Sequence, residues 1–166
     1  MFEEEILIPK SRVAVLIGTK GAIKRDIEKR GHVKLKISKD GLVQIKADDA
    51  LALWVARDVV EAIGRGFNPD IAKEIFKDRI GFELIKIEDY VKPSGLERVR
   101  GVIIGTGGKM KHAIESAING YVSVHGKTVA IIAPDEKLAK AHRAIEMLLT
   151  GSKHSSVYRF LEMKNG

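Results

Sequence analysis

Leu16-Ile17-Gly18-Thr19-Lys20-Gly21 and Ile103-Ile104-Gly105-Thr106-Gly107-Gly108 are two versions of one segment, 105 − 18 = 87 residues apart. The same offset carries Ile23 onto Met110, Lys24 onto Lys111, Ile27 onto Ile114, Glu28 onto Glu115, Leu35 onto Val122 and Ile37 onto Val124. A slip of one residue then aligns Val43 with Val129, Ile45 with Ile131 and Val59 with Ile145. Similarity running through this much of each half marks a folding unit used twice, which two chance glycine pairs would not give.

Outward from the glycines, the local signals repeat in the same order. Glu5 to Ile8 reads as a strand ended by Pro9. Ser11 is placed to cap a short helix through Leu16. After the glycine segment, Ala22 to Arg30 reads as a helix with Ile23 and Ile27 one turn apart, ended by Gly31. Val33 to Ile37 alternates like a half-buried strand, Asp40-Gly41 is a hairpin turn, and Leu42 to Ala47 returns. Asp48 or Asp49 caps a helix to about Ile63. Gly64 to Pro69 breaks the pattern. The expected division is residues 1–66 as the first domain and 67–80 as a linker with a short helix. Residues 81–150 form the second domain, and 151–166 a tail with a possible short helix. In the second domain the strand is Phe82 to Ile87, helices run from Gly95 to Ile103 and Lys109 to Ile118, and Asp135 caps a last helix reaching about Leu149. A hairpin turns at Gly126-Lys127. The expected fold class is α+β, each unit a three-stranded antiparallel sheet packed against three helices.

The chemistry sits in the glycine segments. Glycine at both ends of a four-residue loop permits a tight turn and lets another backbone come close. A helix starting directly after the loop aims its unpaired N–H groups and positive dipole end at the same place, which is an anion site. Other phosphate motifs fail: a P-loop would need Gly at Ile103 and Ser or Thr at Met110, and a dinucleotide fingerprint would need Gly at Met110.

The chain of 166 residues carries 29 Lys and Arg against 22 Asp and Glu, a formal charge of +7. Divided at Phe67, the halves hold 13 basic against 10 acidic and 16 against 12, so both are basic, as two surfaces facing a polyanion would be. There is no cysteine, which excludes disulfides and thiolate metal sites. No apolar run reaches a membrane span, and the acidic start lacks the basic region of a secretion signal, so a cytoplasmic location is expected. One Gln and three Asn among many Lys and Glu hint at a heat-adapted source.

Ile-Gly-x-x-Gly between two helices, with strands in this order, resembles the tandem type I KH domains. Ile8-Pro9-Lys10-Ser11-Arg12, Arg100 to Gly105 and above all Tyr121 to Ile132 are similar to archaeal two-KH ribosome-assembly proteins, counterparts of the eukaryotic partner-of-Nob and Krr factors. The resemblance implies a non-enzymatic protein that needs no cofactor or metal. The same resemblance implies binding to single-stranded RNA, small-subunit rRNA near its 3′ end, with assembly or translation-initiation proteins as further partners. In the first unit it assigns RNA binding to Arg12, Leu16, Ile17, Gly18, Thr19, Lys20, Gly21, Lys24, Lys34 and Lys36. In the second it assigns Arg98, Arg100, Ile103, Ile104, Gly105, Thr106, Gly107, Gly108, Lys109, Lys111 and His112. The first loop carries its own cation at Lys20; the second must draw on Lys109, Lys111, Arg98 or Arg100. Two other functions stay open at this level: an adaptor in RNA degradation or translational control, and a protein-interaction scaffold.

Tyr121, Ser123 and His125 occupy the second-unit strand face that matches Lys34 and Lys36, where Tyr121 has the chemistry to stack on a base. Trp54, in a helix rich in Ala, Leu and Val, is expected in the core. The five histidines show no metal-ligand spacing, and no Ser, His and Asp arrangement suggests a nucleophile.

Overall fold

The computed structural model describes residues 1–163 and divides into two compact units, Met1–Asp78 and Arg79 onward. In the first, β1 (Phe2–Leu7) leads through a 3-10 turn (Lys10–Arg12) to α1 (Val13–Ile17), then α2 (Ala22–Gly31), β2 (Lys34–Ile37), β3 (Leu42–Ala47), α3 (Ala50–Gly64) and α4 (Pro69–Ala72). In the second, β4 (Ile80–Lys86), α5 (Leu96–Ile104), α6 (Lys109–Ile118), β5 (Tyr121–His125), β6 (Thr128–Pro134) and α7 (Asp135–Leu149) repeat the order, and α8 (His154–Glu162) follows. Each sheet is antiparallel with the returning hairpin strand in the middle, β1-β3-β2 and β4-β6-β5. Lys34 stands opposite Lys46, and Tyr121 opposite Ile132. No helix among the described residues is long and apolar enough to cross a membrane.

Alternating burial sets the packing. Leu35, Val43, Ile45 and Ala47 are buried, and with Leu16, Ile27, Val59 and Ile63 belong to the core of the first unit. Ile103, Met110, Ile114, Val122, Ile131 and Ile145 belong to that of the second. The expected repeat is thus built from the same positions used twice.

Four local expectations are corrected. Ser11 lies inside the 3-10 turn and caps nothing; the helix follows Pro9, whose fixed φ starts the turn. Gly31 is the last helical residue, and His32, left-handed at φ 54°, ends α2. Gly31 is small because Phe76 packs where a Cβ would stand. Asp135 is the first residue of α7 and not its cap, whereas the Asp49 carboxylate does accept from the Ala52 N–H, 3.0 Å, at the head of α3. Trp54 is 62% exposed, on the same solvent side of α3 as Leu51.

Segment 67–80, read as a linker, is built into the first unit through Asp78. Phe67, Ala72 and Ile75 are buried. The Lys73 ammonium meets the Asp26 carboxylate of α2 at 2.6 Å, and the Arg30 guanidinium lies 5.3 Å from the Phe76 ring centre. That ion pair holds the Asp26 carboxyl below the usual aspartate range. In the second unit α8 plays the matching part: Val157 and Leu161 are buried against α6 and α7, and His154 Nε2 lies 2.9 Å from the Val102 carbonyl of α5. The tail helix is therefore a structural component of its unit; residues 164–166 lie outside the described residues.

Candidate nucleic-acid interface

Both glycine loops have one backbone path. Gly18 has φ 75° and ψ 173°, a region open in practice only to glycine, and its N–H closes α1 on the Ala14 carbonyl at 2.9 Å. A Cβ there would stand 2.9 Å from both the N and the Cβ of Ile23. Lys20 (55°, 28°) and Gly21 (76°, 15°) are left-handed in succession and deliver the chain into α2. Gly105 (77°, 171°), Gly107 (61°, 20°) and Gly108 (79°, 11°) follow the same path within 8° at each angle and deliver it into α6. Each helix has ten residues, so its dipole and first-turn N–H groups make the loop end electropositive. Thr19, Lys20, Thr106, Gly107 and Lys109 are exposed there.

The loops differ in what braces them. In the first, Arg25 Nη1 donates to the Lys20 carbonyl at 2.5 Å. The equivalent in the second is His112, whose ring lies 3.5 Å from where a Gly108 Cβ would be and whose Nδ1 lies 3.5 Å from Glu115. Sequence reading named His112 but missed Arg25, although the 87-residue offset pairs them.

Glu28 and Glu115 do one identical job. The Glu28 carboxylate accepts from the Leu35 N–H, and Glu115 from the Val122 N–H, each at 2.9 Å. Each ties the second helix of its unit to the free edge of the outer strand, β2 or β5. Lys111 is 3.7 Å from Glu115 and half-buried.

Some of the other expected site residues are taken up by the fold, and the rest stand around the loops and strands. Arg12 turns inward: Nε donates to the Ile63 carbonyl and Nη2 to the Phe67 carbonyl, both at 2.8 Å, closing the end of α3. Burial draws its pKa down, and Nε and Nη2 are committed to the fold. Leu16 and Ile103 are fully buried and have no surface to offer a ligand; their neighbours Ile17 and Ile104 are half-buried at the loop edge. Lys34 and Lys36 project from the sheet face opposite the buried Leu35, across from Lys46 and Gln44. Lys24 is half-buried on the first turn of α2. Arg98 is exposed on α5, and Arg100 has a buried Nε without a hydrogen-bond partner, a donor left over by the fold. Tyr121 is partly exposed on β5, with Ser123 and His125 half-buried beyond it.

Residues 81–166 match the eukaryotic-type KH domain, KH-domain type I, and residues 3–62 match the KH domain. The chain is 49% identical over 164 residues to KH domain-containing protein MJ0443 of Methanocaldococcus jannaschii, covering 96% of this chain and 72% of that one. It is 30% identical over 116 residues to pre-rRNA-processing protein PNO1 of Chaetomium thermophilum, covering 68% of this chain and 45% of that one. It thus spans about half the length of this eukaryotic relative. Two solved structures superpose closely: Dim2p from Pyrococcus horikoshii OT3, with a TM-score of 0.91 and 46% identity over 98% of this chain and 99% of that one; and the a/eIF2alpha-aDim2p-rRNA complex of the same organism, with 0.90 and 46% over 97% and 92%.

Proposed function

The chain belongs to the KH family of the PNO1 and Dim2 proteins, and from that premise we propose that it binds single-stranded RNA through both Gly-x-x-Gly loops, its target being small-subunit rRNA near the 3′ end during ribosome assembly. Its work is binding and not catalysis; the relatives it matches include a pre-rRNA-processing protein and an RNA-binding protein. The observation that carries the reading is the shared backbone path of the two loops, each opening directly onto a helix N-terminus.

The glycine backbone admits a phosphodiester at van der Waals distance, where side chains would hold it off. The helix N–H groups and Lys20 or Lys109 then face the phosphate oxygens. KH loops clamp about four nucleotides in this way. The bases fall into the cleft between the second helix and the outer strand of each unit. If about four phosphates are neutralised, the log–log salt slope on a single strand is near −3, and a fourfold rise in salt weakens binding roughly 50-fold. Two such sites on one chain add effective concentration without a new kind of contact.

The P. horikoshii relative is seen with rRNA and with a/eIF2alpha, which supports rRNA as the target and a translation-initiation protein as a further partner; a cytoplasmic location goes with that reading. Crosslinking in cells, followed by sequencing of the bound RNA, tests the target. Recovery of the small-subunit 3′ region is expected. Recovery of messenger RNAs instead would overturn the ribosomal assignment and favour translational control.

A further inference from the structure

We propose that the first unit, and not the second, carries an additional phosphate site at the far end of its cleft, which takes the RNA strand where it leaves the glycine loop's grip. The site rests on the RNA-binding reading above. A cavity of about 530 Å³ opens there, lined by Arg25, Glu28, Lys29 and His32 and by Lys34 and Lys46 of the paired strands β2 and β3. Asp48 also lines it, so four cations face two acids. One of those acids, Glu28, already accepts from the Leu35 N–H. Among the described residues Lys29 and Lys34 make no ion pair, and Lys46 has only an exposed one with Glu3 at 3.9 Å.

The second unit shows that the fold does not require these cations. By the 87-residue offset, His112, Ser116, Asn119 and Tyr121 replace Arg25, Lys29, His32 and Lys34. Ile132, opposite Tyr121, takes the place of Lys46, opposite Lys34. Gly120, in place of Val33, lies so close to the Ile132 carbonyl and Ala133 that a Cβ would not fit. The same order of elements is therefore built without the four cations, with a closer approach of the chains at Gly120.

Position favours a nucleic-acid strand over an acidic protein. Arg25 lines the cavity and also donates to the Lys20 carbonyl, so one guanidinium joins loop and cavity. From Gly21 to His32 the helix rises about 16 Å, beyond the Glu28–Leu35 bridge. A strand held at the loop and following α2 past that bridge meets Lys29 and Lys46 next. The ligand is a ribose-phosphate backbone, gripped by charge and not read by base.

The test uses the full chain with the second loop silenced by Thr106→Asp and Gly107→Asp, and RNA oligonucleotides of four to eight residues. In that chain, affinity is expected to rise with length and the salt slope to steepen by about 1.4, the value for two more phosphates. Adding Lys29→Ser and Lys46→Ser, both exposed, should leave the four-residue RNA bound as before and remove the gain, roughly tenfold on the longest RNA at moderate salt. A charge-matched control, Lys77→Ser with Lys153→Ser, should keep it. Length gain and slope that survive the Lys29 and Lys46 changes would overturn the site. So would loss of polyglutamate binding with RNA binding intact, which would mark a protein site. If the chain without those two changes binds RNA of no length, the underlying reading fails and the site with it.

Discussion

The two glycine loops share a backbone path but resolve one conflict in opposite ways. The third loop position is left-handed in both, and such a conformation costs an ordinary residue roughly 1–2 kcal/mol. The first unit puts Lys20 there and accepts the strain, gaining a cation at the tip of the loop. The second puts Gly107 there, relaxes, and leaves charge to Lys109 on the first turn of α6. The same contrast recurs one helix later, where the left-handed residue is His32 in one unit and Asn119 in the other. It recurs again on the third helix, where Asp58 stands in the first unit at the place of the fully buried Ala144. At each of these positions the first unit carries the costlier side chain for its backbone or burial, and the second the cheaper one. Strain retained at a surface loop is what a binding site would be expected to show.

Substitutions that equalise the units test this contrast, beginning with the largest effect. Gly18→Ala and Gly105→Ala each force a Cβ into the following helix at a positive φ, and each should lower the stability of its own unit by about 2–4 kcal/mol in denaturant unfolding. Equal losses are expected, because this position is the same in both loops.

Burial pushes the Asp58 carboxyl up to about 6, against an ordinary 3.8, with Glu61 and Glu4 adding to it and Arg57 opposing. The folded state therefore keeps a proton that the unfolded state releases, and stability falls as pH rises from about 3.8 to 6. Asp58→Asn should stabilise the first unit by about 1–2 kcal/mol at pH 7, and the gain should vanish by pH 4. A pH-independent gain would contradict the burial argument.

The exchange Lys20→Gly with Gly107→Lys should raise the stability of the first unit and lower that of the second by about 1 kcal/mol each. RNA affinity should move the other way in each unit, read by oligonucleotide titration. The smallest effect is at the helix ends: His32→Asn should stabilise α2, and Asn119→His destabilise α6, by about 0.5 kcal/mol, because Asn tolerates the left-handed cap better.

The period of the repeat, and with it the order of elements and the type I KH arrangement, was legible because each unit needs the same apolar positions. Glu28 and Glu115 were visible as a pair, but their reason was not: an acid closing a strand edge leaves no periodic signal. Arg12 looked like a surface cation beside the loop, since sequence does not show that α3 ends within its reach. Trp54 looked like core because hydrophobicity was read without the helix face, and α3 turns Leu51 and Trp54 to solvent. Segment 67–80 looked like a linker because Gly64, Gly66 and Pro69 break the pattern at its start. Its few apolar residues, Phe67, Ile75 and Phe76, nonetheless cover α2 and α3 as α8 covers α6 and α7. Arg25 leaves no signal in the sequence because its partner is a backbone carbonyl.

The claim that both loops clamp RNA, and clamp it unequally, is tested most directly by the salt dependence of oligonucleotide binding. The chain is compared with Thr19→Asp plus Lys20→Asp, and with Thr106→Asp plus Gly107→Asp. Both pairs of residues are exposed, so folding should be retained. Both variants should bind more weakly with a shallower slope, and the first should lose the more, since it removes the cation built into the loop. Binding and slope unchanged in both variants would contradict the account.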